Sequence, residues 1–440
     1  MRYFADLHIH SRFARATSKD LTLSTLDAWA RKKGIRVLGT GDFTHPEWFA
    51  ELQDQLQPAP EEGLYVLKNP STKTQNPNDE TRFLLSVEVS SIYRKGDKVR
   101  RIHTIVLLPS FAAAETFNTQ LARQGGNLRS DGRPILGIDA KAVAQAAFQA
   151  HPDALVVPAH AWTPWFSIFG SMSGFDRLDE CFEELTPQIF AIETGLSSDP
   201  AMNWRISALD SVALMSNSDS HSAPKIGREL NELEGEVSYM AIREAFRTGA
   251  PARAGERETA PAKLLGTVEF FPEEGKYHYD GHRLCRVRWT PEERKAYGGR
   301  CSACGRPVTV GVMSRVDDLA DRPLGFHPPG APNYRSLVSL DEIIADAIGL
   351  GRGTKGVAEH YERLVRELGN EMRVLLDAPG EEIARSSLPV IAEGVRRVRE
   401  GKLVIEPGYD GEFGTVHVFT PEERAAFAKG GAPDTQATLF

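Results

Sequence analysis

No run of apolar residues in this 440-residue chain approaches the ~20 needed to cross a bilayer as a helix, which excludes a helical membrane protein. The chain also lacks the basic, apolar and small-residue sections of a secretory signal, so a cytoplasmic protein is expected. Cysteine is scarce: only Cys181, Cys285, Cys301 and Cys304 occur. In a reducing compartment a close pair such as Cys301 and Cys304 points to metal or redox chemistry rather than to a disulfide. Positive charge is not in excess either. The net charge is −8, so bulk electrostatics does not announce a nucleic-acid binder, although a binding face can still be locally basic. What remains is ordinary, with 41% hydrophobic and 25% charged residues. That permits a sizeable core, and the length implies two or three domains.

Against this background, nine metal-capable side chains stand out in the first 221 residues: His8, His10, Asp42, His45, Glu88, His103, His160, Asp219 and His221. Each follows or belongs to a short apolar run, at residues 3–5, 35–40, 83–87, 103–108, 155–158 and 212–216. Such β-branched runs, separated by helical patterns, predict parallel strands. Side chains just past the ends of parallel strands converge on one mouth, where barrel enzymes place their chemistry. Imidazole and carboxylate together suit Zn²⁺, Mn²⁺ or iron, and this many ligands can hold two or three ions. Clustered ions lower the pKa of a bound water and clamp phosphate oxygens, as phosphoester cleavage requires. His151, His327, His360 and His417 lack such a setting and read as ordinary core or surface residues.

The segments DLHIH (6–10), GTGDFTH (39–45), SVE (86–88), His103, PAH (158–160) and SDSH (218–221) together resemble the PHP family of phosphoesterases. The resemblance implies a distorted (β/α)7 barrel around a di- or trinuclear metal site. It makes Asp219, His221, Glu88 and His160 the expected catalytic residues among the nine ligands. Many members carry an adjacent Asp-His, whereas here Asp42 and His45 are three apart.

The barrel is expected over residues 1–247, with a first helix at 22–33 capped by Ser18 or Asp20. Residues 58–80 read as an exposed loop or hairpin insertion. Residues 161–176, AWTPWFSIFGSMSGFD, fit neither helix nor strand and follow His160 directly. Trp162, Phe166 and Ser171 there, with Glu193 in the next mouth loop, are candidates to meet substrate. Glu193 is equally a candidate metal or supporting carboxylate.

A second unit is expected at 265–333. Cys301-x-x-Cys304-Gly305 is a knuckle, and His282 with Cys285 supplies HxxC upstream, together a tetrahedral structural zinc site. His278 and Asp280 compete with His282 for the fourth place. Residues 282–307 hold seven arginines and lysines against Glu292 and Glu293. Arg283 and Arg286, close to several aromatics, fit phosphate contact with base stacking. Residues 334–419 are mainly helical by pattern, over 340–348, 357–368 and 388–399. GRGTKG (351–356) matches a dinucleotide fingerprint but follows a helix, so it reads as an inter-helix turn. The tail, 420–440, ends in QATLF (436–440). It resembles the peptides that dock on bacterial sliding clamps, with Gln436 in the groove and Leu439 and Phe440 in an apolar pocket.

A barrel alone would also suit a phosphatase of small phosphoesters. Barrel, zinc module with HRLC and CSACG, and helical tail in this order resemble the endonuclease Q family along nearly the whole chain. That resemblance implies a metal-dependent DNA repair endonuclease. It would cut the phosphodiester 5′ to a deaminated base (hypoxanthine, uracil, xanthine) or an abasic site and leave 3′-OH and 5′-phosphate ends. The expected cofactors are a structural Zn²⁺ and two or three active-site ions (Zn²⁺, Mn²⁺ or Mg²⁺). The expected partners are damaged DNA and a sliding clamp.

Overall fold

The fold grows from the first strand, Arg2–Asp6, which is buried along all but its first residue. It pairs in parallel with Ile35–Gly39 and antiparallel with Leu230–Gly235. A computed structural model describes residues 1–70 and 80–428. Between the first two strands lies the helix Leu23–Lys33. Its cap is Thr22, whose side chain accepts from the Thr25 amide, and not Ser18 or Asp20. Ser18 and Asp20 lie in the turn before it, one step too early to reach the free amides.

Among the described residues, eleven strands join in one mixed sheet. Its main path runs from Asn333–Ser336 through Ala262–Glu269, Leu230–Gly235, Arg2–Asp6 and Ile35–Gly39 to Arg82–Lys95, Tyr65–Leu67 and Leu56–Pro58. The expectation of uniformly parallel strands fails at one place that matters. Arg82–Lys95 and Lys98–Leu108 form a long antiparallel hairpin, and Lys98–Leu108 pairs antiparallel with Leu155–Pro158 as well. Glu88 and His103 therefore sit within long strands rather than at strand ends. A separate parallel pair, Ala191–Glu193 with Ala213–Met215, completes the set.

The sheet curls far enough for Ala5, Val37, Leu84, Ile105, Val157 and Met215, from six strands, to share one apolar cluster. Above that plug the strands open into loops, and those loops carry the polar residues described below.

Beyond residue 260 the elements are smaller. A two-stranded hairpin, Asp280–His282 with Val287–Trp289, precedes the short helix Pro291–Ala296 and the helix Val312–Leu319. Helices Leu340–Ile348, Lys355–Leu368 and Pro389–Arg399 match the periodic runs, with residues 349–354 as the turn between the first two. The helix Gly380–Ser386 between them was not foreseen. This part docks on the first helix. Lys33 and Glu371, both almost fully buried, form an ion pair at 2.7 Å. Gly34, in left-handed conformation at the helix end, lies so close to Asn370 that a Cβ would come within 2.5 Å of its Oδ1.

Candidate metal centre

Backbone first sets the centre. The loops after Arg2–Asp6 and Ala213–Met215 are tied by a bridge between Ile9 and Ser220 and by the His10 amide bonding to the Ser220 carbonyl at 3.0 Å. Asp42, His160 and Asp219 adopt left-handed backbone, with φ of 52°, 29° and 44°. That conformation is uncommon for residues with a Cβ and collects where a site dictates side-chain direction. Trp48, fully buried, donates its Nε1–H to the Gly41 carbonyl at 2.9 Å and so fixes the loop that presents Asp42.

Two groups result, each of a size to hold a metal ion, and Glu88 belongs to both. His8, His10, Glu88 and Asp219 form one, and Glu88, His103 and His160 the other; within each group the ligand atoms lie within 4.8 Å of one another. In the first, His10 Nε2 is 3.1 Å from Asp219 Oδ1 and 3.4 Å from Glu88 Oε2. His8 Nε2 is 3.7 Å from both carboxylates. In the second, His103 Nδ1 and His160 Nε2 approach Glu88 Oε1 at 2.6 and 3.0 Å and each other at 3.1 Å.

The outward ring nitrogens are tied down. His8 Nδ1 meets Glu193 at 3.0 Å, and His10 Nδ1 meets Asp42 at 3.0 Å. Such carboxylate–imidazole pairs fix the tautomer so that the other nitrogen presents a lone pair inward. His8 Nε2 is buried and has no hydrogen-bond partner, an orphan aimed at Glu88 and Asp219. A buried polar atom is rarely left so. An oxygen- and nitrogen-ligated divalent ion fits this donor set.

Burial opposes charge on these groups, but their neighbours outweigh it. Glu193 and Glu88 hold His8 well above the usual imidazole value, and Asp42 does the same for His10. Burial would raise Glu88, yet His103, Arg133 and His8 hold it well below the usual carboxylate range. His103 goes the other way, pushed down by burial to about 4.

The remaining expected residues divide. Asp42 orients His10 and accepts from the Ser11 amide and hydroxyl at 2.6 and 2.7 Å. His45 is not in either group; its ring stacks on Phe13 at 4.5 Å. His221 stands beside the first group, its ring 4.7 Å from that of His10. Glu193 is fully buried, with its oxygens taken by His8, the His160 amide and Asn217. Trp162 is buried and donates to Asn203 at 2.8 Å, so it packs the loop rather than facing open space. Ser171 lines a separate polar recess beside Arg100 and Arg315. Phe166 lies against His103, with ring centroids 4.8 Å apart.

Arg133 was not anticipated. It precedes the two-residue strand Ile135–Leu136 beside Arg82–Lys95 and reaches Glu88 Oε2 at 3.0 Å. Nothing local in GRPIL distinguishes it; only the pairing of that short strand brings it in. Next to His103 and His160 opens a cavity of about 760 Å³, lined by Trp165, Phe166, Phe270, Tyr277 and Arg228 among others.

The second cluster gathers His282, Cys285, Cys301 and Cys304, again with ligand atoms within 4.8 Å. Among the competitors, His278 is buried elsewhere and Asp280 accepts from the Gly311 amide and Ser314 hydroxyl. Burial would raise Cys301, but the Ala303 and Cys304 amides hold it down to about 6, while a shared hydrogen bond with Cys304 lifts Cys285 to about 11. The apolar core here is only Trp289, Cys301 and Val308, with Cys285 and Val287 against it. So small a core needs a staple, which a four-ligand metal site would provide. Of the nearby cations, Arg294 and Lys295 pair with Asp318 and Asp317. Arg283 and Arg286 remain exposed, and the Arg283 amide bonds to Asp410. Gln436, Leu439 and Phe440 lie outside the described residues. No helix among the described residues is long and apolar enough to cross a membrane.

Residues 339–402 match the family model of the MJ0043 C-terminal domain. The uncharacterized protein MJ0043 of Methanocaldococcus jannaschii is 34% identical over 267 residues, 60% of this chain, and this chain spans only 32% of its length. The uncharacterized protein YqxK of Bacillus subtilis is 29% identical over 427 residues, 94% of this chain and 99% of that one. Among solved structures, the lesion-specific endonuclease PfuEndoQ of Pyrococcus furiosus superposes with a TM-score of 0.81 and 30% identity, over 97% of both chains. Endonuclease Q in complex with a 27-mer duplex bearing an abasic lesion gives 0.80 and 31%, over 96% of this chain and 98% of that one. On identity of that order across nearly the full length of both partners, the chain belongs to the endonuclease Q family.

Proposed function

We propose that this protein is a metal-dependent DNA repair endonuclease that cuts the phosphodiester 5′ to a deaminated base (hypoxanthine, uracil, xanthine) or an abasic site and leaves 3′-OH and 5′-phosphate. The observation that carries the reading is the pair of three- and four-residue groups sharing Glu88 beside a 760 Å³ cavity with an aromatic lining. The family's solved members, one named as lesion-specific and one bound to a lesion-bearing duplex, support it.

His8, His10, Glu88 and Asp219 would hold one ion, and Glu88, His103 and His160 another. His221 and the Asp42–His10 pair would complete the surroundings, and His45 would support the loop. Bound there, Zn²⁺, Mn²⁺ or Mg²⁺ would supply a water of lowered pKa and a positive field for the phosphate. The chain's own residues do the rest. Glu193 and Asp42 keep His8 and His10 in the tautomer that faces inward. Arg133, a cation beside Glu88, offsets negative charge brought in by a phosphate. Trp165 and Phe166 give the cavity flat apolar faces for a base turned out of its stack. That turning costs a few kcal/mol and is least costly for a mispaired or damaged base.

We read residues 1–247 as a distorted PHP barrel with this chemistry, 265–333 as a Zn²⁺-stapled module whose Arg283 and Arg286 meet DNA, and 334–419 as a helical domain. Residues 420–440 would be a tail that offers Gln436, Leu439 and Phe440 to a sliding clamp. The test uses end-labelled oligonucleotides with one deoxyinosine, deoxyuridine or abasic site, with Mg²⁺, Mn²⁺ or Zn²⁺ and an EDTA control. Metal-dependent nicking 5′ to the lesion is the expected result. Intact strands in every metal, with turnover of p-nitrophenyl phosphate, would instead make the protein a phosphatase of small phosphoesters.

A further inference from the structure

The hairpin Arg82–Lys95/Lys98–Leu108 is longer than the centre needs. Glu88 and His103 lie in its inner half, and the two strands stay paired in register out to Lys95 and Lys98. Side chains alternate along a strand, and directly opposed residues share a face. The face that holds Glu88 and His103 therefore continues outward through Ile92 with Arg101, and then Arg94 with Val99.

The two faces of this outer half are treated differently. The back face is docked: Lys95 pairs with Glu183 at 2.6 Å, Tyr93 meets Cys181, and Arg100 bonds to the Gly174 carbonyl and lies 3.9 Å from the Phe175 ring centroid. Among the described residues the front face meets the Phe166 ring at its inner end and is open farther out. Val99 is 46% exposed, and Arg94 is exposed. Among the described residues neither Arg94 nor Arg101 pairs with a carboxylate; Arg101 is half-buried and its guanidinium lies 5.8 Å from the centroid of the Phe166 ring. Phe166 in turn lies against His103. Arg101 is thus linked to the centre through one aromatic ring.

We propose that this open face is a track for the cleaved strand, on which Arg101 and Arg94 each hold a phosphate flanking the one at the metal centre. The inference rests on the endonuclease reading and assigns its substrate path. Spacing and charge favour it. Two residues of strand advance about 7 Å, so His103, Arg101 and the Arg94–Val99 pair mark three positions with two steps of that length between them, roughly the separation of successive phosphates. Unpaired arginines on a flat ribbon, in a chain of net charge −8, complement a phosphodiester backbone and little else. The docked back face holds the ribbon still, which keeps the ordering cost of binding low.

The test compares wild type, R94A, R94A/R101A, R94K/R101K and the distant control K355A/R366A on a lesion-bearing oligonucleotide. Binding is measured across a salt series, and single-turnover cleavage at saturating protein. Each lost arginine should reduce the slope of log affinity against log salt by about 0.7–0.9. Lysine should restore the slope, and the control should leave it unchanged. The saturated cleavage rate of R94A/R101A should stay within about threefold of wild type, because the scissile phosphate is held elsewhere. Neutral methylphosphonates placed one at a time on either side of the cut should weaken wild type at one or two positions and leave R94A/R101A indifferent there. Unchanged affinity and slope in R94A and R94A/R101A, with wild type cleaving normally, overturns the track alone. Retained affinity with a lost saturated rate also overturns it, since the arginines would then serve the reacting phosphate. A wild type that neither binds nor cuts the lesion strand overturns the endonuclease reading and the track together.

Discussion

His8 and His10 show how much of the centre is decided one atom at a time. Each turns one ring nitrogen inward and ties the other to a buried carboxylate, Glu193 or Asp42. Asp219 faces the centre itself, and Glu193 acts through His8. The two should therefore fail differently. Glu193→Gln keeps the shape but weakens the hold on His8, and metal affinity or activity should fall by about 10–100-fold. Titrating activity against added metal after chelation reads this, and excess metal should recover most of the rate. Asp219→Asn removes a charge that would meet the proposed ions directly. It should lose more than the roughly 100-fold of a supporting residue and should not recover with excess metal, while binding of the lesion strand persists. Undiminished turnover in Asp219→Asn would sink the metal-site reading. At this scale the sequence was informative wherever a metal-capable side chain followed a strand, as with His8, His10, His160 and Asp219, which the fold brings together. It was silent on Arg133, whose role depends on a two-residue strand, and on the division of labour between Asp42 and its neighbours.

At the scale of elements, periodicity located the helices at 340–348, 355–368 and 389–399 within about two residues. It misjudged the direction of one strand. Residues 82–95 and 98–108 look like any β-branched runs; only Gly96-Asp97 between them, with Gly96 at φ 63°, marks a tight reversal. Another pairing has a measurable consequence. Glu229 and Glu269 flank the Leu230–Val268 pairing at the end of Leu230–Gly235 and Ala262–Glu269, and both are fully buried. Burial and mutual repulsion hold Glu229 well above the usual carboxylate range, and burial together with Asp199 lifts Glu269 to about 8. The folded state then keeps protons that the unfolded chain gives up near its ordinary carboxylate pKa. The contribution is intact at acid pH and is lost as pH rises toward 8. Glu269→Gln should flatten this decline, so that melting temperatures from pH 5 to 8 change less than in wild type; parallel curves would refute it. In the Cys301 module, Cys301→Ser should remove one equivalent of bound zinc and loosen residues 280–310 to proteolysis while leaving the first 247 residues protected. Unchanged zinc content would refute the site.

For the whole molecule, the Lys33–Glu371 pair joins the first helix to the segment that matches a family model on its own. Glu371 also accepts from Tyr361 and the Leu340 amide, so it is the hub of that contact. Removing one partner of a buried pair leaves an uncompensated charge, and Lys33→Met should cost about 3–5 kcal/mol. A lower denaturant midpoint checks this; a midpoint equal to wild type would show that the two parts are held by apolar packing alone. This joint was not legible in the sequence, because neither Lys33 nor Glu371 belongs to a motif.

The first strand has no partner on one side until the chain returns with Leu230–Gly235. The Leu7 amide waits for Asn217, and the His10 amide for Ser220. Contacts spanning more than 200 residues form slowly. During synthesis His8 and His10 emerge first, yet they cannot be fixed until residues 217–235 have left the ribosome. A nascent or truncated chain thus carries the histidines without the groups they join, and the proposed nuclease activity would belong only to chains made past that point.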